Sequence, residues 1–310
     1  MFKKLTKIML KYPIRFINHI YTYFYYKNNN VREGYKIDDM IGEGERVLVF
    51  SPHVDDETIG LGATLLKHKE ADNQRVLVYL TDGGGSTSNL SREDVIKERK
   101  EEGGKVKDIY GFREVYFLDE ADGALDSEKQ ELITKIVNIL DKEQPTIIYT
   151  PFLLDGHRDH IETTRSVIKA LEIWGKDFDI IYMYEVNCPI TPILVNSLSI
   201  MDESLYNKKG EVYHIFDSQW AMDFSVFRLL DRRKRFIAKS GYGAEVFVKT
   251  DLNTLIEIER ELKVEGFRPE QFRQLSSHYN LLFSFKTNKD LKKRYSDKID
   301  RVLTKGFAKQ

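Results

Sequence analysis

Between Arg46 and Tyr184 five short apolar runs alternate with four longer amphipathic ones, and this alternation limits the fold more than anything else in the chain. The short runs are Val47–Phe50, Val76–Thr81, Glu114–Leu118, Thr146–Thr150 and Ile180–Tyr184, and they have the length of strands. The longer runs, Thr58–Lys69, Arg92–Tyr110, Glu128–Lys142 and Ile161–Trp174, have the length of helices. Ile133, Val137 and Leu140 give the third an apolar face, and Ser91 followed by Asp94 is a capping start for the second. Strands that alternate with helices argue for an α/β fold, a mostly parallel sheet with helices on both faces. Periodicity alone does not give the strand order.

Two polar clusters stand at equivalent places in this pattern. Ser51-Pro52-His53-Val54-Asp55-Asp56-Glu57 follows the first strand, and Asp155-Gly156-His157-Arg158-Asp159-His160 follows the fourth. The C-terminal ends of strands are where open α/β sheets bind ligands. Imidazoles and carboxylates packed this densely are costly to bury unless a metal or a proton transfer uses them. His53 and Asp56, three apart on a tight loop, can reach one cation, and His160 supplies a third ligand. Such a His/Asp/His set with open positions suits catalytic Zn2+, and without thiolate it also admits Fe2+, Mn2+ or Co2+.

These residues resemble the PIG-L/LmbE-like zinc N-deacetylases, which remove acyl groups from N-acylated amino sugars. The resemblance rests on Pro52-His53-x-Asp55-Asp56-Glu57 and His157-x-Asp159-His160. It runs from about Arg46 to Glu172, with weaker echoes at Asp217-Ser218-Gln219 and Ala244-Glu245-Val246-Phe247. It implies a Rossmann-like strand order and metal ligation by His53, Asp56 and His160. It implies that Asp55 is the general base toward metal-activated water, with a second-shell carboxylate as the other reading. His157 is implied to stabilise the oxyanion or protonate the leaving amine as a cationic imidazole, held by Asp159. Asp159 is alternatively the N-cap of the following helix. Val54 and Arg158 depart from the family pattern, which often has proline there.

The resemblance extends to Arg99-x-x-Glu102, where the Arg counterpart binds substrate, and to Asp122 in Asp122-Gly123-Ala124-Leu125, near the sugar. The blander readings are a solvated helix face for Arg99 and a turn residue for Asp122. Thr81-Asp82-Gly83 is expected to line the cleft. Gly60-x-Gly62 is expected to allow close helix–sheet packing, since it lacks the rest of a dinucleotide fingerprint. Gly83-Gly84-Gly85 lacks the Lys of a phosphate loop. His19, His68, His214 and His278 have no partner at ligand spacing and read as structural or surface residues.

The implied activity is metal-dependent deacetylation of an N-acetylglucosaminyl-type substrate, with the aglycone left open. The alternatives are hydrolysis of another amide, or a non-catalytic carbohydrate-binding protein on the same scaffold. The 310 residues divide by pattern into an arm (1–40), the deacetylase-like domain (41–249) and a helical C-terminal extension (250–310). In the last part, Trp220–Ile237, Thr254–Lys263 and Asp290–Leu303 read as helices. A net charge of −1 gives no argument for nucleic acid as a partner. One cysteine, Cys188, excludes an intrachain disulfide framework and a Cys-rich zinc site and fits a reducing, cytoplasmic setting.

The arm has no Asp or Glu from Met1 to Val31, while Lys3, Lys7, Lys11, Arg15 and His19 recur every fourth residue among many aromatics. Its apolar stretches are interrupted by charge and lack a small-residue cleavage site, so it does not read as a signal peptide. Two readings stand: peripheral membrane contact through residues 1–30, or a helix packed on the domain. Because the first strand starts near Arg46, the arm is expected to be dispensable for the metal site.

Overall fold

A computed structural model describes residues 2–33 and 38–307. The chain opens with α1 (Phe2–Asn28) and the two-residue β1 (Asp38–Asp39). The alternating section follows: β2 (Arg46–Ser51), α2 (Asp56–Glu70), β3 (Gln74–Thr81), α3 (Arg92–Tyr110), β4 (Glu114–Glu120), α4 (Gln130–Glu143), β5 (Ile147–Pro151), α5 (Arg158–Trp174) and β6 (Ile181–Tyr184). Then come β7 (Ser197–Met201), α6 (Glu203–Val212), α7 (Ser225–Ala238), β8 (Gly243–Thr250), α8 (Leu252–Val264) and α9 (Leu281–Phe307).

The eight strands form one sheet in the order β1-β7-β8-β6-β5-β2-β3-β4. The block from β6 to β4 is parallel, and β8 runs antiparallel to both β6 and β7. From β2 the chain winds one way through β3 and β4, then crosses back to β5 on the other side of β2. The strand order therefore reverses between β2 and β5. A crevice opens outside their carboxyl ends, the general ligand position in such sheets. Both polar clusters sit at that point. Past the exposed Arg46, β2 is buried along its length, as β5 is, which is why Val47–Phe50 and Ile147–Tyr149 are continuous apolar runs.

α2 packs with α3 and α6, and α4 with α5, which packs with α8; the two sets cover the two faces of the sheet. Ser91 caps α3 by accepting from the Asp94 N–H at 3.2 Å. Gly60 meets the sheet closely: a Cβ there would lie 2.2 Å from Tyr184 Cδ2. At the adjacent Leu61 α2 leaves helical geometry (φ −146, ψ 21). A buried network satisfies the groups this break releases. Glu245 accepts from the N–H of Ala63 and of Thr64, both at 2.8 Å, and Lys209 donates to Ile59 C=O at 2.9 Å. Lys209 also bridges Asp231 and Glu245, each at 2.7 Å.

Some elements differ from the sequence reading. β7, α6 and β8 fall in the stretch that reads as irregular, because β7 is short and β8 pairs antiparallel, outside the βα rhythm. The helix expected from Trp220 starts at Ser225, and Trp220 is exposed. α9 begins at Leu281, nine residues before Asp290. α1 runs through Pro13 and is not detached. Tyr26 is buried in the main core, Asn18 Nδ2 donates to His278 C=O at 2.7 Å, and the Tyr25 and Phe285 rings meet edge-on at 4.9 Å. The same apolar core includes Leu255, Ile258, Tyr295 and Ile299 from the C-terminal helices.

Candidate active site

The loop after β2 is held from below. Thr81 donates from its hydroxyl to Pro52 C=O at 2.8 Å, and the buried Glu57 carboxylate accepts from the Asp55 N–H at 3.1 Å. This grip forces Asp55 to φ +123, a left-handed conformation that a residue with a Cβ rarely adopts. Strain of this kind costs on the order of 1–3 kcal/mol and collects at functional sites. The turn sends two adjacent carboxylates in different directions.

Asp56 Oδ2 lies 2.9 Å from His53 Nδ1 and 3.4 Å from His160 Nε2. It also accepts from the His53 backbone N–H at 3.1 Å. Burial alone would raise its pKa, but the His160 charge and the bonds from both imidazoles hold it well below the usual carboxylate range. Asp55 turns toward Arg99, 3.5 Å away. Its pKa is pushed up to about 8, by burial first and then by Asp56 and Glu57, with Arg99 opposing.

His160 comes from the first turn of α5. Its Nδ1 lies 3.2 Å from Asp155 Oδ1 but off the hydrogen-bond direction. Burial disfavours its charged form, yet Asp56 and Asp155 raise its pKa to about 10. His53 is raised too: its burial is outweighed by Asp122, Asp159 and Asp56. His53 Nε2 lies 3.2 Å from Asp122 Oδ1 and 3.3 Å from Asp159 Oδ2.

His157 differs from the expectation of a cationic imidazole. It is the N-cap of α5: its Nδ1 accepts from the Asp159 N–H at 3.3 Å, so the ring proton belongs on Nε2. Burial, then the charges on His160 and His53, lower its pKa to about 4. Asp159 is therefore not the cap, and its carboxylate does not hold His157. It accepts from Gly123 N–H at 2.6 Å and Leu125 N–H at 3.1 Å, tying the Asp122 loop to α5.

Arg99 is not on a solvated helix face. It is 2% exposed, 3.2 Å from Glu102 and 3.3 Å from Ser218 Oγ, with its Nε unpartnered. Asp122 accepts from the Gly85 N–H at 3.0 Å, and its pKa falls to about 2 because the His53 bond and charge outweigh burial. Asp82 turns away to Arg92 at 2.5 Å, so the cleft wall comes from Gly85, Ser86 and Thr87. His68 and His278 are buried with partners at Tyr149 and Asn18.

A cavity of about 360 Å³ opens over these groups, lined by His53, Asp55, Asp56, Arg99, Asp122, His157 and His160. Sequence reasoning missed its far wall: Asn187, Met222, Gln274 and Ser276. The Ser218–Gln219 part was signalled by a weak echo; Gln274 and Ser276 carry no signal. Asp155, the first residue of the second polar cluster, accepts from the N–H of His157 at 2.9 Å and of Asn187 at 3.0 Å.

One ligand atom from each of His53, His157 and His160 lies within 4.8 Å of the other two. His53, Asp122, His157 and Asp159 form a second, overlapping group. Nitrogen and carboxylate donors crowded at one point, with excess negative charge raising two imidazole pKa values, fit a divalent cation of the zinc, iron or manganese kind.

Fold and site together define an α/β domain with a His/Asp cluster at the carboxyl ends of its central strands. Residues 48–171 match the family model described as "PIG-L: GlcNAc-PI de-N-acetylase". A diacetylchitobiose deacetylase of Thermococcus kodakarensis is 32% identical over 146 residues, 46% of this chain and 54% of the relative. The match thus spans about half the length of that relative. Among solved structures, N,N'-diacetylchitobiose deacetylase from Pyrococcus horikoshii superposes with a TM-score of 0.55 at 23% identity, over 66% of this chain and 83% of its own. A conserved protein from Thermus thermophilus gives 0.56 at 22%, over 66% and 94%. Both show the shared fold.

Proposed function

We propose that the protein is a metal-dependent N-deacetylase that hydrolyses the acetamide of an N-acetylglucosaminyl-type sugar conjugate. The observation that carries this reading is the convergence of His53, Asp56, His157 and His160 on one cavity, with Asp55 beside them and turned the other way. The match to a de-N-acetylase family model over residues 48–171 supports it.

His53, Asp56 and His160 would hold the cation, zinc first and Fe2+, Mn2+ or Co2+ on the same donors. Bound there, it supplies a Lewis acid that polarises the amide carbonyl and makes water nucleophilic near neutral pH. Asp55 takes the proton from the attacking water as its oxygen bonds to the carbonyl carbon. Arg99 keeps that carboxylate in place, and Glu57 holds the Asp55 backbone N–H. His157, neutral with its proton on Nε2, donates to the carbonyl oxygen as charge builds there. The C–N bond then breaks and the nitrogen takes the proton that Asp55 holds. Acetate and a free amine leave. Arg99 and Asp122 meet the sugar hydroxyls from the cavity wall.

The test is acetate release from N-acetylglucosamine glycosides by chelator-treated protein, before and after zinc is added. Activity should depend on the metal. Ala at His53, Asp56 or His160 should lower metal occupancy, while Asp55→Asn should keep the metal and lose hydrolysis. His157→Ala should keep the metal and slow turnover roughly 100-fold or more. Metal-independent release would sink the reading. Loss of metal in Asp55→Asn with an unchanged rate per metal would mean that Asp55 and Asp56 exchange roles.

A further inference from the structure

The inner face of α1 is spent on the fold: Asn18, Thr22 and Tyr26 are buried against the loop at His278, α7 and the core. The outer face is apolar and open. Tyr12, Phe16, Ile17, Ile20 and Phe24 are between 45% and 75% exposed. These positions span about 18 Å of helix. Beside them Ile17, Ile20, Phe24 and Leu282 line an open groove between α1 and α9 of about 630 Å³. A contiguous apolar surface of this extent marks an interaction site.

Charge identifies the occupant. No acidic residue occurs from Met1 to Val31, and Lys11 and Lys27 are exposed along the helix. The adjacent α7 adds Arg233, whose partners are Thr22 Oγ, the His19 ring and carbonyl and the Tyr23 ring, not a carboxylate. Lys286 of α9 stands at the groove. A second copy seated on this face would set these cations against their own equivalents. An anionic bilayer would neutralise them while taking up the aromatic rings. Among the described residues no helix is long and apolar enough to cross a membrane. We propose that the outer face of α1, with its basic flanks on α7 and α9, docks in the interface of an anionic lipid bilayer. The face adjoins the cavity rim: Arg15 reaches Asp223 at 3.5 Å, and the Asp223 N–H donates to the carbonyl of the rim residue Ser276 at 3.0 Å.

Co-sedimentation of the full chain with phosphatidylcholine vesicles, with and without phosphatidylglycerol, tests this. Binding is expected with phosphatidylglycerol, falling at high salt as exposed charges are screened. Phe16→Asp with Phe24→Asp removes two inserted rings and should weaken binding roughly 100-fold or more, with circular dichroism and melting unchanged. Lys11→Glu with Lys27→Glu should weaken it through charge alone. The proposal is overturned if the wild-type chain ignores phosphatidylglycerol vesicles, or if both double variants bind as it does. It is overturned too if sedimentation shows a dimer that Phe16→Asp with Phe24→Asp splits while no vesicle binding occurs. Acetate release from a soluble sugar should be untouched in every variant, so failure here is separable from failure of the deacetylase reading.

Discussion

His68→Gln gives a sharp test of the buried neutral imidazole that ties α2 to β5. His68 lies in the last turn of α2, fully buried, with Nε2 2.8 Å from the Tyr149 hydroxyl on β5 and Nδ1 2.9 Å from the Asn73 amide. Asn73 can only donate to that nitrogen, so the imidazole is neutral with its proton on Nε2. Burial, then the charges of Arg75 and Lys67, lower its pKa from 6.5 to about 3. Below pH 6.5 the unfolded chain binds a proton that the folded chain refuses. Stability is therefore lost as pH falls from 6.5 toward the folded value. At about 1.4 kcal/mol per unit, the loss between pH 7 and pH 5 is about 2 kcal/mol. Gln keeps a donor and an acceptor but does not titrate. The wild-type advantage over His68→Gln, measured by urea unfolding, should shrink by about 2 kcal/mol over that range. A gap that stays constant or widens on acidification would refute the assignment of a buried neutral imidazole.

Gly60→Ala should destabilise the fold by about 2 kcal/mol in the same assay. Overpacking against Tyr184 and the Glu185 carbonyl, 2.8 Å from the added Cβ, outweighs a helix-propensity gain of at most about 1 kcal/mol. An unchanged or raised midpoint would show that α2 can retreat freely. Lys209→Met leaves Glu245 buried without its cation and Asp231 with Lys234 alone, and should cost roughly 3–5 kcal/mol. A loss under about 1 kcal/mol would mean the network relaxes or admits water.

The parallel part of the fold is legible because burial on both faces writes strands as unbroken apolar runs, as in Val47–Phe50 and Ile147–Thr150. α3 is readable to the residue because Ser91 and Gly111 punctuate it at both ends. β7 and β8 are hidden for the opposite reason. They pair antiparallel across a long excursion, and nothing local in Ser197–Met201 announces a partner some fifty residues on. α1 shows the same limit: its composition marks it as distinct, but Tyr26 enters the main core and Asn18 bonds to His278, 260 residues away.

At the site, the density of titratable residues at strand ends is visible in the sequence, but the division of labour is not. Asp55 and Asp56 are neighbouring letters of one type. Their difference comes from a backbone angle of +123° at Asp55, imposed by Glu57 and by the anchoring of Pro52 to Thr81. That angle aims one carboxylate at two imidazoles and the other at Arg99, itself held by Glu102 on the same helix and by Ser218 from a distant part of the chain. The same applies to His157 and His160. Helix α5 starting at Arg158 uses His157 as its cap, which fixes its tautomer, and turns His160 inward toward Asp56 and Asp155. Spacing gathers the groups, whereas caps, strain and long-range partners give each its charge and direction, and only the first of these is written locally.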